Sequence, residues 1–281
     1  MASYPFSGGA AFIRNAAAVL LWTLAPGPAL AGAWTLERGT GQVILTTSYY
    51  ATVDRFDSHR HRVDGSRFEK VTINPYMEYG LTDGVTLGLS PEYQFLESHA
   101  GGGRTDKTNG FSDVETFARG RLWHDDWSVL SVQGMVKAPT GYSEKRTPAL
   151  GYDQVDLEGR VLYGLSGNLV GTSWYTDAQA AYRKRFGSPA DEVRVDLTFG
   201  WRPVEDWLLL AQSFNTMGLR NASGSSVAQT DGPDYDSFKI QLSAVYSLTE
   251  QVSVQAGGWR EIGGRNAGAG NGALVALWLK F

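Results

Sequence analysis

The chain has 281 residues, with 34 glycines, 12% aromatic residues, no cysteine and a formal net charge of −4. A spanning helix needs roughly 20 consecutive apolar residues, and the lack of such a run excludes a helical membrane protein. The mild acidity and the absence of a long basic run exclude an electrostatic surface for nucleic acid, and the absence of cysteine excludes disulfide stabilisation.

Residues 1–33 are predicted to form a secretory signal peptide. A short apolar stretch, 16–25, follows Arg14 and precedes two prolines and the small-residue sequence Ala29-Leu30-Ala31. Cleavage is expected after Ala31 or Ala33, which leaves residues 34–281 as a single domain. The alternative interpretation of this segment is a buried N-terminal helix.

After residue 39 the sequence alternates between apolar and polar side chains in segments of about ten residues, as membrane strands do. The clearest segment is 236–248, where Ile240 and Leu242 lie on one face and Lys239 and Gln241 on the other. The pattern predicts twelve strands, at 42–53, 70–79, 85–96, 111–123, 127–138, 154–165, 172–185, 192–201, 207–218, 237–248, 252–262 and 273–281.

The predicted connections alternate between tight turns and longer polar loops. The tight turns are 81–84, 124–126, 166–171, 203–206 and 249–251. The long loops are 54–67, 98–110, 139–153, 219–235 and 263–272, and the connection 186–191 is the one short member of this second set. An even strand number places both termini on the side of the short turns, which is expected to be the periplasm, with the longer loops outside the cell.

Aromatic side chains lie beside the tight turns, as expected for an aromatic girdle at one membrane interface. They are Trp123, Trp127, Trp201, Trp207, Tyr79 and Tyr246. The last strand has apolar residues at every second position and ends in Phe281, which resembles the sorting signal read by the barrel-assembly machinery. The predicted fold is therefore an all-β, antiparallel transmembrane barrel of about twelve strands in a bacterial outer membrane. A soluble β-sandwich or β-helix is the alternative.

Charged side chains are frequent on the predicted inward faces. The candidates for lining a pore are Lys70, Asp113, Glu115, Arg119, Arg121, Lys137, Asp156, Glu158, Arg160, Arg183, Arg194, Asp196 and Lys239. Twelve strands fall between the filled eight-stranded barrel and the open sixteen-stranded porin. The charges therefore have two interpretations: they line a water-filled passage, or they pair with one another and plug the barrel.

No catalytic residue, cofactor or metal site is predicted. His59 and His61 share the first long loop without a third ligand nearby, and Asp231, Asp234 and Asp236 lack the glycine and terminal glutamate of a calcium loop. An outer-membrane hydrolase needs a serine beside a histidine, and none of the four histidines lies inside a predicted strand next to a candidate serine. The chain is therefore not expected to be an enzyme.

Two short motifs carry a family resemblance. They are Gly110-Phe111-Ser112-Asp113-Val114-Glu115 and Lys137-Ala138-Pro139-Thr140-Gly141, and together they resemble the family named for the meta pathway of phenol degradation. Ser112 stands where that family usually has glycine. The resemblance implies an outer-membrane transport barrel for passive uptake of small molecules, hydrophobic or aromatic ones among them. Asp113 and Pro139 are expected to lie close together at the outer rim, because each stands at the outer end of neighbouring strands.

Overall fold

The computed structural model describes residues 32–99, 103–143, 145–223 and 231–281. The predicted signal peptide lies outside these residues, except for Gly32 and Ala33, so its cleavage stays a prediction. Within the described ranges, no helix is long and apolar enough to cross a membrane.

The chain forms a closed antiparallel β-barrel of twelve long strands, which confirms the predicted fold class. The strands are β1 (Gly41–Phe56), β2 (Arg62–Thr82), β3 (Val85–His99), β4 (Thr105–His124), β5 (Ser128–Pro139), β6 (Asp156–Leu169), β7 (Thr172–Arg185), β8 (Glu192–Val204), β9 (Trp207–Gly218), β10 (Asp236–Ser247), β11 (Val252–Arg265), the two-residue β12 (Ala267–Gly268) and β13 (Asn271–Lys280). Each of the twelve predicted strands coincides with one of the long strands.

The barrel closes where β1 meets the last strand. β1 pairs with β2 on one side and with β13 on the other, from Gln42 opposite Lys280 to Ala51 opposite Asn271. The last residue completes this seam, because the N–H of Phe281 donates to the carbonyl of Gly41 at 3.0 Å and the N–H of Gly41 donates back at 2.7 Å. No strand edge is left exposed between β1 and β13, as a barrel in lipid requires.

The outer wall is apolar, as the period-two pattern predicts. On β10, Leu242 and Ile240 are exposed on the outside, at 67% and 43%, whereas Gln241 between them faces an internal cavity. The predicted girdle tryptophans at the tight turns are exposed as well, among them Trp123 and Trp127. An exposed apolar band of this kind needs a bilayer around it, so the protein is an outer-membrane barrel.

The tight turn between β4 and β5 is held by one carboxylate. Oδ1 of Asp125 accepts hydrogen bonds from the N–H groups of Trp127 at 2.9 Å and Ser128 at 2.8 Å. The pKa of the Asp125 carboxyl lies below its ordinary value, and the hydrogen bond from the N–H of Trp127 is the largest cause. An aspartate that bonds to the backbone of the next residues is typical of such turns.

Three of the long loops are shorter than the sequence predicts. The predicted loop 54–67 is only 57–61, because β1 continues to Phe56 and β2 begins at Arg62. The hairpin of β3 and β4 and the end of β11 also extend into the predicted loops 98–110 and 263–272. Backbone pairing continues beyond the lipid in these extensions. Both of their faces meet water there, so both carry polar side chains and the alternation of apolar and polar residues ends.

The orientation of the barrel gives a labelling prediction. The chain has no cysteine, so an introduced thiol is the sole reactive one. Ser188→Cys, in the connection between β7 and β8, should react with an impermeant thiol reagent on intact cells, whereas Asp126→Cys, in the turn between β4 and β5, should react only after permeabilisation. Both positions are exposed. Labelling of the second variant on intact cells would reverse the assignment of the two ends.

Candidate functional site

The barrel encloses a cavity of about 650 Å³ in the half away from the termini. Its walls are mostly polar, and side chains from strands all around the barrel contribute to it. Several aromatic rings lie among the polar groups: Tyr50 on β1, Phe68 on β2, Trp259 on β11 and Tyr235 before β10. The cavity therefore combines hydrogen-bonding groups with aromatic surface, which is the usual character of a site for small molecules.

One wall of the lumen is a continuous network of ion pairs on β4 to β8. The Lys137 ammonium lies 2.9 Å from both Asp113 and Asp156. The Arg183 guanidinium lies 2.8 Å from Glu158 and 3.2 Å from Glu115. Arg160 joins Glu158 to Asp196, at 2.8 and 2.6 Å. Because a buried charge without a partner costs several kcal/mol, this pairing is what allows so many charges to lie inside the barrel.

Most of the predicted pore-lining residues lie in this network or beside the cavity. Arg194 lies 3.7 Å from Glu158 at the edge of the network, and Arg119 pairs with Glu78 nearer the termini. Arg121 lies opposite Ser131, whose hydroxyl points into the lumen, and it has no ion pair among the described residues. That these residues line a conducting pore stays a prediction.

Lys70 and Lys239 line the cavity without an ion pair among the described residues. The Lys239 ammonium lies over two aromatic rings instead, 4.7 Å from the centroid of Phe214 and 5.7 Å from that of Trp259. Glu261, opposite Lys239 across the β10–β11 pair, is engaged elsewhere, because it accepts a hydrogen bond from the Tyr50 hydroxyl at 2.6 Å. The cavity thus holds both paired and unpaired charges.

The connection between β5 and β6 folds into the outer mouth of the barrel through its described residues, 140–143 and 145–155, which we call the loop 140–155. Tyr142 and Leu150 are buried against Leu96 of β3. The Tyr142 hydroxyl donates to Asp113 at 2.5 Å, and the carbonyl of Leu150 accepts from the Ser112 hydroxyl at 2.8 Å. This inward loop narrows the cavity from the outside, a feature that the sequence does not reveal.

The two family motifs meet where the predicted strand order places them. Asp113 and Pro139 are directly opposite each other in the β4–β5 pair. Thr140, the next residue, donates from its hydroxyl to the carbonyl of Phe111 at 3.1 Å. Ser112, which replaces the usual glycine, uses its hydroxyl to hold the inward loop. The expected closeness of the motifs is confirmed, and their contacts in the structure are made within the protein.

The segment before β1 fills the other end of the lumen. Trp34 packs against Tyr175 edge to face, with ring centroids 5.8 Å apart, and against buried residues of β9, β10 and β13. Gly164 on β6 leaves room for the indole, because a Cβ there would lie 2.6 Å from its Cη2 atom. Ala33 packs beside it on Val129 and Leu162. We refer to residues 32–40 as the N-terminal segment.

Polar contacts fix the N-terminal segment in place. The Asp177 carboxylate accepts from the N–H of Ala33 at 2.8 Å. The carbonyl of Trp34 accepts from Arg119 at 3.0 Å, and Arg119 pairs with Glu78 at 2.8 Å. The Arg119–Glu78 pair is almost fully buried. A residue that the sequence indicates as pore-lining therefore binds the chain that occupies the lumen.

Several residues that line the cavity or occupy the lumen were not predicted from the sequence. Glu192 and Glu261 follow from the same period-two pattern as Arg194 and Trp259, so the signal was present. Trp34 and Tyr142 carry no such signal, because they lie in segments without alternation. Asp231, in the loop before β10, also lines the cavity, and burial raises the pKa of its carboxyl.

Comparison with known protein families shows which family the chain belongs to. The family model described as "Putative MetA-pathway of phenol degradation" matches residues 24–277. The chain belongs to this family. The match covers the whole barrel up to β13 and confirms the resemblance inferred from the two motifs. No curated protein matches the chain.

Two solved structures show the same fold. One is the COG4313 outer membrane channel from Pseudomonas putida F1, with a TM-score of 0.70, 14% identity, and coverage of 89% of this chain and 98% of that one. The other is the NanC porin, with a TM-score of 0.50, 9% identity, and coverage of 85% of this chain and all of that one. At these identities the likeness shows that this chain has the same barrel fold as the two solved structures.

The packing of Trp34 gives a prediction about conduction. Trp34→Ala removes a packed indole, and comparable truncations in protein cores cost about 3–5 kcal/mol. The N-terminal segment should then leave the lumen more often, and single-channel recordings in planar bilayers should show larger or more frequent openings than the unaltered protein. Trp127→Ala removes an exposed indole from the rim and should leave the recordings unchanged. Equal conductance in all three proteins would contradict a blocking role for Trp34.

Proposed function

We propose that the protein is a passive outer-membrane channel for small molecules, among them aromatic compounds that carry polar groups. The observation that carries the proposal is the cavity of about 650 Å³, which is large enough for a single aromatic ring with substituents. Its polar walls favour solutes that hydrogen-bond, and Tyr50, Phe68 and Trp259 provide surface for a ring to stack on. The family's description in terms of phenol degradation supports aromatic solutes.

We infer that the passage is closed towards the termini in the described conformation. Trp34 and the residues packed on it fill that end of the lumen, whereas the other end is narrowed by the loop 140–155. Transport therefore requires the N-terminal segment to move, because the strands themselves are fixed by the hydrogen bonds of a closed barrel. No covalent chemistry is part of the proposal, and the protein acts without a cofactor.

The alternative is a structural barrel whose lumen stays plugged and whose outer loops bind a surface partner. The apolar packing around Trp34 is the observation that favours it. A lipid hydrolase is the weaker third candidate. A hydrolase of this kind needs a serine beside a histidine. Among the described residues, one hydrogen-bond contact joins a serine to a histidine, that between Ser58 and His59 at 3.3 Å, and it lies in an exposed outer turn.

Liposome swelling distinguishes the channel from the plugged barrel. Vesicles containing the refolded Trp34→Ala protein should swell in isosmotic 4-hydroxybenzoate or catechol faster than in sucrose, since the cavity admits a ring more easily than a disaccharide. Gln241→Trp, which fills the cavity from β10, should slow the swelling. Leu242→Trp adds the same side chain to the outer face and serves as the matched control. The absence of swelling in any folded variant would support the plugged barrel instead.

We further propose that the C-terminal strand, through Phe281, is recognised by the barrel-assembly machinery. The Phe281 ring is 68% exposed on the outer surface, and its backbone is already paired with Gly41. The exposed ring is therefore free to be recognised, whereas the backbone closes the barrel.

Phe281→Ala keeps the backbone pairing and should reduce the amount of folded protein in the outer membrane of cells, without changing refolding in detergent. Phe199→Ala removes an exposed phenyl ring from the outside of β8. It should leave both the amount of folded protein in the outer membrane and the refolding in detergent nearly unchanged. If the two variants reach the membrane at the same level, Phe281 is not the recognition signal.

A further inference from the structure

Three side chains with metal-binding atoms meet on the outer surface of the barrel. They are Glu69 on β2 and Glu97 and His99 on β3, and their ligand atoms all lie within 4.8 Å of one another. Glu69 and Glu97 are directly opposite in the β2–β3 pair, and His99 lies two residues further along the same face. The strand register brings Glu69 next to Glu97 and His99 although it lies on a different strand, so no local motif predicts the complete site.

The cluster lies just beyond the apolar band. Tyr49 and Phe95 are exposed on the same outer face, one step nearer to the membrane along their strands. Aromatic rings of this kind mark the interface between lipid tails and headgroups. Glu69, Glu97 and His99 are therefore at the level of the lipid headgroups or above, where hydrated ions can reach them.

The imidazole of His99 is placed as a ligand would be. Its Nε2 atom is shielded from solvent and makes no hydrogen bond, although Glu97 Oε1 lies 3.3 Å and Glu69 Oε2 3.5 Å away. Its Nδ1 atom lies 3.2 Å from the Thr105 hydroxyl. When Nδ1–H donates to Thr105, the Nε2 lone pair faces two carboxylate oxygens, an arrangement that needs either a proton or a metal cation between them.

We propose that Glu69, Glu97 and His99 bind a divalent transition-metal ion of the Zn²⁺ type on the outer surface of the barrel. Zn²⁺ takes imidazole nitrogen at about 2.0–2.1 Å and carboxylate oxygen at about 2.0–2.2 Å. In a tetrahedral site, ligand atoms at those bond lengths are about 3.4 Å apart. The separations of 3.3 and 3.5 Å from Nε2 match this spacing. The fourth position is open to water or to a phosphate of the lipid headgroups.

Neighbouring residues orient each of the three ligands. Lys107 binds the other oxygen of Glu97 at 2.8 Å. Arg67 binds Glu69 at 3.0 Å, and the Tyr49 hydroxyl donates to the same carboxylate at 2.5 Å. Such outer contacts fix ligands in metal sites. Oε1 of Glu97 is left to the ion, whereas Oε2 of Glu69, which faces His99, also accepts a hydrogen bond from Nε of Arg67 at 3.2 Å. They also reduce the net negative charge, which favours a soft nitrogen-binding ion over Ca²⁺, since Ca²⁺ prefers six to eight oxygen ligands.

Calorimetric titration of the refolded barrel in detergent with ZnCl₂ tests the proposal. One Zn²⁺ per barrel should bind saturably, and CaCl₂ should give no comparable signal. His99→Ala and Glu97→Gln should each weaken Zn²⁺ binding by more than about 10-fold. Binding should also weaken in acid, because the histidine and carboxylate ligands must be deprotonated.

Two matched variants separate this site from other metal-binding groups. His61→Ala removes a histidine from the outer turn between β1 and β2, and Glu92→Gln removes a carboxylate from β3 on the side of the cavity. Both should bind Zn²⁺ as the unaltered protein does. Binding that survives His99→Ala, that disappears with His61→Ala, or that is equally tight for Ca²⁺ would overturn the proposal. Heat-dependent mobility on electrophoresis confirms that each variant is folded, and none of these outcomes depends on channel activity.

Discussion

The structure depends on one constraint: inside a bilayer there is no water to pair with backbone N–H and C=O groups. A sheet satisfies it only by closing on itself, and here the closure is the pairing of β1 with β13, completed by the two hydrogen bonds between Gly41 and Phe281. Once the ladder is closed, every side chain of a strand faces either lipid or lumen. The apolar outer wall and the polar cavity are two consequences of the same pairing.

That constraint also explains how far the sequence could predict the fold. Alternation is strong where the two faces have different surroundings, so β10 could be recognised from Ile240 and Leu242 against Lys239 and Gln241. The signal disappears where both faces meet water, so the beginning of β2 at Arg62 was predicted to be loop. The strand order also predicted the closeness of Asp113 and Pro139, because they stand at the outer ends of neighbouring strands.

The site could be predicted only in part, for a related reason. The alternation of side chains along each strand indicates which charged residues point inward. The partner of each charge depends on strand register and on side chains long enough to span more than one strand. Arg160 and Asp196, for example, are two strands apart. The N-terminal segment and the loop 140–155 have no periodic pattern at all, and they occupy the two ends of the lumen. Trp34 and Tyr142 are therefore visible only once the strands are in place.

The ion-pair network and the N-terminal segment both lie in the lumen, but they differ in how freely they can move. The ion-pair network belongs to strands whose backbone bonds hold them rigidly, so Lys137 and Arg183 cannot leave their partners without exposing unpaired buried charge. The N-terminal segment is covalently continuous with β1 and is held by the packing of Trp34 and by hydrogen bonds to Asp177 and Arg119. Closer to β1 it also donates hydrogen bonds from Thr35, Leu36 and Gly39 to Asp83, Thr86 and Gly80 of the β2–β3 hairpin. Under the proposed function, the charged wall fixes the shape of the passage, and the mobile closure belongs to the segment that forms no strand.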